Sequence, residues 1–285
     1  MTEFEIESDQ HRQQIVGMLD RGVVVVLTGA GLSTASGIPA YRDSDAQWKG
    51  AQPIDHKDFL RCENTRRRYW ARSFAGWPTV GLASPSRGHD SLVQLESRGR
   101  ISLIITQNVD GLHQKAGSRA VLELHGGLRQ VICLGCRGSY PRTAMQEWME
   151  AANPGLVAKV ARLAPDGDAQ LAEGFQLDFS VPPCPSCGGT LKPDVVFFGD
   201  SVPKERVRVG LDAIDAARGL LVIGSSLMVY SGFRFVEHAH RQGKPVMAVN
   251  LGRTRADHLL QAKLEQDCDD FLHSLQIAAR MTHGN

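Results

Sequence analysis

No apolar stretch in this 285-residue chain approaches the ~20 residues that a membrane span needs. Neither sign of charge is in excess: 32 basic residues stand against 31 acidic ones, a formal net charge of +1. A chain so balanced has no global field to draw it to nucleic acid or to an anionic membrane. The one compact basic run, Arg66-Arg67-Arg68, is of a length that usually makes a solvated helix face. The first ten residues, Met1 to Gln10, are acidic and polar, without the basic and apolar zones of a secretory signal or the Arg-rich amphipathy of a transit peptide. The expected location is therefore cytoplasmic. Six cysteines in a chain this long do not make a disulfide framework. Internal repeats and long low-complexity segments are missing as well. What is there, 42% hydrophobic and 22% charged residues, is the composition of an ordinary folded protein. The length suits one large domain, or a domain with an insert.

Four stretches share one pattern. Val23-Val24-Val25-Val26-Leu27 runs into Gly29-Ala30-Gly31, and Ile101-Ser102-Leu103-Ile104-Ile105 into Thr106-Gln107-Asn108. Gly219-Leu220-Leu221-Val222-Ile223 runs into Gly224-Ser225-Ser226, and Pro245-Val246-Met247-Ala248-Val249 into Asn250. Continuous apolar runs of this length read as strands buried on both faces of a parallel sheet. Amphipathic segments such as Ser91 to Arg98 and Lys204 to Ala217 lie between them. The alternation predicts an α/β, doubly wound parallel sheet. Ligands of such sheets bind beyond the carboxyl ends of the strands, and here each strand end carries glycine or a small polar residue. Two stretches break the alternation: residues from about Tyr41 to Ser84, rich in Arg, Trp and Phe, and from about Leu128 to Leu191, which hold four cysteines around a Gly/Pro/Asp-rich middle, Ala164-Pro165-Asp166-Gly167-Asp168. Both read as inserts that form a smaller lobe.

Three groups of residues carry chemistry. Gly29-Ala30-Gly31-Leu32-Ser33 follows a strand and precedes an expected helix, where bare backbone and a helix N-terminus suit a phosphate. By itself the run equally fits a structural turn, because Thr34 stands where a dinucleotide fingerprint would have its third glycine. Cys133-x-x-Cys136 and Cys184-x-x-Cys187 are two thiolate pairs in glycine-bearing knuckles, the pattern of a closed, structural tetrahedral zinc site. Cys62 and Cys268 fall outside it. His125, at an expected strand end after Leu122-Glu123-Leu124, has the side chain suited to accepting a proton near neutral pH.

Read through to Arg42, the first group becomes Gly29-Ala30-Gly31-Leu32-Ser33-Thr34-Ala35-Ser36-Gly37-Ile38-Pro39-Ala40-Tyr41-Arg42, which resembles the signature of the sirtuin (Sir2) family. The resemblance continues in Thr106 to His113, in Glu123-Leu124-His125-Gly126 and in Lys192 to Asp200, then in Gly224 to Leu227 and Val249 to Gly252. The blocks stand in the family's order over nearly the whole chain. Ala40 departs from the acidic residue common there. The resemblance implies a Rossmann-like NAD-binding domain from residues 1–40, 85–127 and 192–285, a helical insert and cofactor loop at 41–84, and a zinc-binding module at 128–191. It implies an NAD-dependent protein lysine deacylase that releases nicotinamide, 2′-O-acyl-ADP-ribose and free lysine. His125 falls on the general base. Asn108 and Asp110 would hold the nicotinamide carboxamide and ribose. Gly29, Ala30, Gly31 and Ser33 would cradle phosphate; Ile38, Pro39, Tyr41, Arg42, Gln107 and Val109 would complete the nicotinamide and ribose side. Gly224, Ser225, Ser226, Asn250, Leu251, Gly252 and Cys268 would meet phosphate or adenosine.

The acylated peptide would add as a strand along Val195, Val196, Phe197, Phe198 and Gly199, a segment that reads equally as a core strand. Arg66 to Pro78, the 164–168 run and Val229-Tyr230-Ser231-Gly232 are similar to the class II branch, whose members include deacetylases, ADP-ribosyltransferases and removers of longer or acidic acyl groups. Tyr69 and Arg72, three residues apart on an expected helix, are candidates for binding an acyl carboxylate; the alternative is a packing tyrosine and a solvated arginine. Mono-ADP-ribosyl transfer at the same NAD site is the second activity the resemblance allows. A dehydrogenase would show a complete dinucleotide fingerprint and a substrate acid–base pair, neither of which the sequence shows clearly; a zinc-knuckle nucleic-acid binder would need a basic aromatic surface, against which the near-neutral charge argues.

Overall fold

The computed structural model describes residues 3–49, 53–156, 160–163, 169–171 and 178–282. In chain order the strands are β1 (Val24–Thr28), β2 (Ile101–Thr106), β3 (Val121–Glu123), β4 (Gly126–Cys133), β5 (Ser139–Pro141) and β6 (Val160–Leu163). They continue with β7 (Ala169–Leu171), β8 (Leu191–Val195), β9 (Leu220–Ile223), β10 (Val246–Val249) and β11 (Ala262–Leu264). The helices are α1 (Glu3–Arg21), α2 (His56–Arg61), α3 (Glu63–Leu82), α4 (Arg87–Ser97) and α5 (Leu112–Ala116), then α6 (Arg142–Ala152), α7 (Lys204–Ala216), α8 (Tyr230–Arg241) and α9 (Cys268–Thr282). Among the described residues no helix is long and apolar enough to cross a membrane.

All five side chains of β1 are buried, because the strand lies in the middle of a sheet covered on both faces. Its period of two divides it cleanly. Val24 and Val26 pack with Ile15 and Leu19 of α1, Leu92 of α4 and Phe271 of α9. Val25 and Leu27 pack with Ile214 of α7 and with Phe235 and Val236 of α8. The sheet is six-stranded and parallel, in the order β11-β10-β9-β1-β2-β3. Chain order reverses between β1 and β9, so the crevice of this doubly wound sheet opens above those two strands. The α/β sheet with an inserted smaller lobe expected from the alternation is the architecture observed.

The smaller lobe gathers both inserts. β4 pairs antiparallel with β5 and β8, and β6 pairs with β7. One core joins Phe59, Trp70 and Phe74 of α2 and α3 to Val131, Met145, Met149 and Leu191. The Trp70 indole N–H donates to the Leu191 carbonyl at 3.2 Å. The fully buried Arg142 guanidinium is held by the Ser73 carbonyl (3.0 Å) and hydroxyl (3.1 Å) and lies 4.8 Å from the Trp77 ring centre. The Arg/Trp/Phe-rich stretch is thus a helix whose aromatic side fills a second core. Of the basic run, Arg66 donates to the Phe59 and Leu60 carbonyls at the end of α2, and Arg67 pairs with Glu63. The 164–168 run lies outside the described residues.

His89 on α4 and His113 on α5 are both buried, their ring centres 4.9 Å apart. His113 Nε2 meets the Thr28 hydroxyl at 2.9 Å, and His89 Nδ1 accepts from the Ser86 N–H at 3.2 Å. Burial pushes His89 down to about 4 and His113 to about 3. Both folded values lie below the ordinary 6.5, so as pH falls the unfolded chain takes up these protons first. Stability is therefore fully present above pH 6.5 and is lost on acidification, at about 1.4 kcal/mol per pH unit for each histidine. We expect urea titrations to show this loss between about pH 6.5 and 4.5, and His113→Asn to make the slope shallower. Equal slopes in the two proteins would place the acid sensitivity elsewhere.

Candidate active-site cleft

At the end of β1 the chain does not enter the expected α-helix. Ala30–Ser36 is a short 3₁₀ turn that Gly37 ends at φ +83°. The Thr34 hydroxyl donates to the Gly31 carbonyl at 2.8 Å, and such side-chain bonds compete with regular helix. The glycines are required by the neighbouring strand end: a Cβ on Gly31 would stand 2.8 Å from the Gly224 Cα, and one on Gly29 2.7 Å from the Ser225 Cβ. The turns after β1 and β9 are packed backbone to backbone, with the Gly31 N–H donating to the Gly224 carbonyl at 2.8 Å.

A hydrogen-bonded triad lies under this pair of turns. Asn108 Nδ2 donates to the Gly29 carbonyl and to the Ser33 hydroxyl, each at 3.0 Å. Ser33 Oγ in turn donates to Asp110 Oδ2 at 2.7 Å, and Asp110 Oδ1 accepts from the Leu112 N–H at 2.9 Å. Burial raises the Asp110 pKa, and those two hydrogen bonds oppose the rise. Gln107 Nε2 donates to Ser225 Oγ at 2.7 Å, tying β2 to the turn after β9. Gly232 is fixed by the same side chain, since a Cβ there would lie 2.5 Å from Gln107 Oε1.

His125 sits between β3 and β4. Its Nδ1 is 2.9 Å from the Gln107 carbonyl oxygen and its Nε2 2.7 Å from Ser231 Oγ on α8. A carbonyl only accepts, so Nδ1 carries the hydrogen and Nε2 the lone pair, which accepts from the Ser231 hydroxyl. Burial pushes the His125 pKa below the usual histidine value. The bond to Gln107 works against this, and the Arg206 and Arg234 charges add to it.

These groups face a cavity of about 850 Å³, within the range of small-molecule sites. Of the residues expected around a dinucleotide, Gly29, Ala30, Gly31, Tyr41, Arg42, Gln107, Asn108, Val109, Gly224, Ser225, Ser226, Asn250, Leu251 and Cys268 line it. Ser33 and Asp110 stand one layer behind and hold Asn108 in place. Ile38 is in the core of the smaller lobe; Pro39 and Gly252 are likewise off the cavity wall. Gly252, at φ +78°, leaves room for the backbone of Ser44, whose carbonyl accepts from the Arg253 N–H at 2.8 Å. That bond latches a hairpin over the cleft, closed by the Lys49 N–H on the Tyr41 carbonyl at 2.9 Å. Arg42 is engaged within this hairpin, donating to the Ala46 carbonyl at 2.7 Å and lying 4.0 Å over the Trp48 ring. Cys268 opens α9; burial pushes its thiol up to about 12, so it stays a neutral thiol.

Val195, Val196, Phe197, Phe198 and Gly199 line the same cavity, reached from β8. The Val196 N–H donates to the His125 carbonyl and the His56 N–H to the Phe198 carbonyl, both at 2.8 Å. Tyr69 also lines the cavity, packed among Phe59, Trp70 and Phe197. Arg72 is not on that wall, so the structure brings only one of the two expected acyl-carboxylate ligands to the cleft. Also lining it are Ser231, read from the sequence only as part of the class II-like Val229–Gly232 block and given no role there, and Arg234, which was not singled out. Ser231 meets His125 across 106 residues of chain, and the available signal was its place just beyond a strand end.

The four knuckle cysteines converge, with all sulfurs within 4.8 Å of one another. Cys133 Sγ lies 3.5 Å from Cys187 Sγ, and Cys136 Sγ 3.8 Å from Cys184 Sγ. A tetrahedron with zinc–sulfur bonds of about 2.3 Å has edges of about 3.8 Å, so the set fits zinc. The two knuckles match, each closed by a left-handed residue after its second cysteine, Arg137 at φ 62° and Gly188 at φ 72°. Cys133, Cys136, Cys184 and Cys187 would hold the ion with no position left open, giving it a structural role.

The Sir2 family model matches residues 29–231. An NAD-dependent protein deacetylase of Xanthomonas axonopodis pv. citri is 55% identical over 252 residues, 87% of this chain and 86% of the relative. One of Bordetella bronchiseptica is 53% identical over 247 residues, 87% and 90% of the two chains. Among solved structures, one described as "Sir2-p53 peptide-NAD+" matches at 29% identity with a TM-score of 0.75, covering 94% of this chain and 98% of that one. Another, "Sir2 bound to acetylated peptide", matches at 28% and 0.75 over 94% and 98%.

Proposed function

The chain belongs to the Sir2 family, and from that premise we propose how its residues carry out NAD-dependent protein deacylation. NAD supplies an activated ADP-ribosyl group. The turns after β1 and β9 take its phosphates, Asn108 its carboxamide side, and Asn250 with Leu251 its adenosine end. The acyl-lysine peptide lies along Val195–Gly199 with its acyl group at the apolar wall of Ile54, Tyr69, Val109, Leu128 and Phe197, which suits neutral chains. The hairpin at 41–49 excludes water, which would otherwise hydrolyse NAD without transfer. His125 is the general base.

The observation that carries this reading is the locked imidazole. With Nδ1–H committed to Gln107, the proton acceptor is Nε2, which meets Ser231 Oγ at 2.7 Å in the lining of the cleft. A lowered pKa keeps Nε2 unprotonated as pH falls through 6.5, so the acid limb of kcat/KM should have its midpoint below 6.5. The test is incubation with NAD and lysine peptides bearing acetyl, longer and acidic acyl groups, from about pH 5 to 8. Nicotinamide and free-lysine peptide should appear in equal amounts, with acetyl ahead of acidic chains. ADP-ribose added to protein without deacylation, or an acid limb above 6.5, would overturn the reading.

A further inference from the structure

Of four cations around the cleft, Lys204 and Arg234 line it, Arg255 packs on the lining Tyr230, and Arg206 acts on His125; among the described residues none of the four forms an ion pair. Lys204 and Arg206 stand in the first turn of α7, Arg234 on α8 one turn beyond Ser231, and Arg255 on the loop after β10. Arg234 and Arg255 both pack on Tyr230, their guanidinium carbons 5.2 and 5.6 Å from its ring centre. Arg234 lines the cleft with a buried Nε that has no hydrogen-bond partner. It and Arg206 are both close enough to His125 to act on its charge. Lys204 also lines the cleft, as does Asp200, whose carboxylate is 3.4 Å from His56. The neighbouring Arg208, by contrast, is paired with Glu205 and Asp212. The cleft lining also carries Asp43, Asp200 and Asp267 beside Arg42 and Lys49, so the cations named here add to a lining of both signs. Tyr230, 51% exposed, and Val229 also line the cleft and offer an apolar surface to an extended chain.

We propose that this rim selects acyl-lysines by the acidity of the residues that flank them in the substrate. The inference rests on the reading of the cleft as a peptide deacylase site. An extended peptide along Val195–Gly199 rises about 3.3 Å per residue, so two residues on either side of the lysine span the mouth. Carboxylates there pass over Lys204, Arg206, Arg234 and Arg255. The acyl group itself is directed to the apolar wall of Ile54, Tyr69, Val109, Leu128 and Phe197.

The test compares acetyl-lysine peptides of one length carrying Glu, Gln or Lys at the two positions on each side. Competition for NAD-dependent turnover is read by mass spectrometry, and binding without NAD by fluorescence anisotropy. Exposed pairs contribute up to about fivefold each, so the Glu peptides should lead the Lys peptides by about ten- to a hundredfold. The lead should shrink near 1 M salt, where the screening length is about 3 Å. Arg255→Glu and Lys204→Glu should each cut it at least about fivefold. Arg255→Gln and Lys204→Gln, at exposed positions, serve if charge reversal lowers the melting temperature. Equal use of the three peptides, or a lead that the variants leave intact, overturns the proposal. So does a lead gained by an acidic acyl chain on a neutral peptide instead of by acidic flanks. If no peptide is turned over, the deacylase reading fails, and the anisotropy still decides what the rim binds.

Discussion

His125→Ala should lose deacylation by about 10²–10⁴-fold, the usual cost of removing a general base, while melting close to the wild-type temperature. The ring contributes one hydrogen bond to the Gln107 carbonyl and one to Ser231, and it lies at the edge of a cavity and outside both cores, so its loss opens little new void. NAD affinity should change little, because Asn108 is held by Gly29 and Ser33 independently of His125. Exchange of free nicotinamide into NAD should partly survive, since bond breaking at the nicotinamide precedes proton removal by the base. The measurements are initial rates of free-lysine peptide formation and of labelled nicotinamide exchange. Near wild-type deacylation by the variant would remove His125 from the mechanism.

Cys136→Ser should empty the metal site and silence the enzyme together. Four-thiolate zinc contributes on the order of 10 kcal/mol of folding free energy in small zinc peptides, far more than the three remaining ligands and the lobe's core can replace. The damage should reach the cleft along a short path. β4 carries Cys133 at one end and begins at Gly126, next to His125, at the other. It pairs with β8, whose continuation donates the Val196 N–H to the His125 carbonyl. Loosening the knuckles frees both strands that fix the base. Elemental analysis should fall from one zinc per chain toward none, with activity falling in parallel. Full activity in a zinc-free variant would separate the metal from the fold.

Where local pattern decides structure, the sequence was informative. The β1 run alternates between two cores that both exclude water, so an unbroken apolar segment is the only one that fits, and it is visible without the fold. The same holds for the cysteine knuckles, whose spacing is set by zinc. The strand-end residues Gln107, Asn108 and Ser225 are where a doubly wound sheet must present them. What could not be read are contacts made across the chain. Ser33 and Asp110 belong to recognised blocks, yet they serve Asn108 from behind, and only their packing shows which of the three meets the cavity. Ser231 finds His125 only once α8 has crossed the sheet. Arg72 shares a helix with Tyr69, but spacing alone does not say which side of α3 meets the cleft. The helix expected after Gly31 gives way to a 3₁₀ turn, because the glycines there answer to Gly224 on another strand.

The shared core of the smaller lobe has a consequence for how the chain is made. Trp70 finds its carbonyl partner, Leu191, 121 residues later in the chain. At roughly 5–20 residues per second of synthesis, α3 therefore leaves the ribosome on the order of ten seconds before the strand it must meet. During that interval Tyr69, Trp70 and Phe74 have none of the Met145, Met149 and Leu191 surface that covers them in the finished protein. This aromatic-rich segment thus waits uncovered until β8 is made, and slowing translation between residues 83 and 191 should lower the yield of soluble enzyme more than slowing it after residue 200.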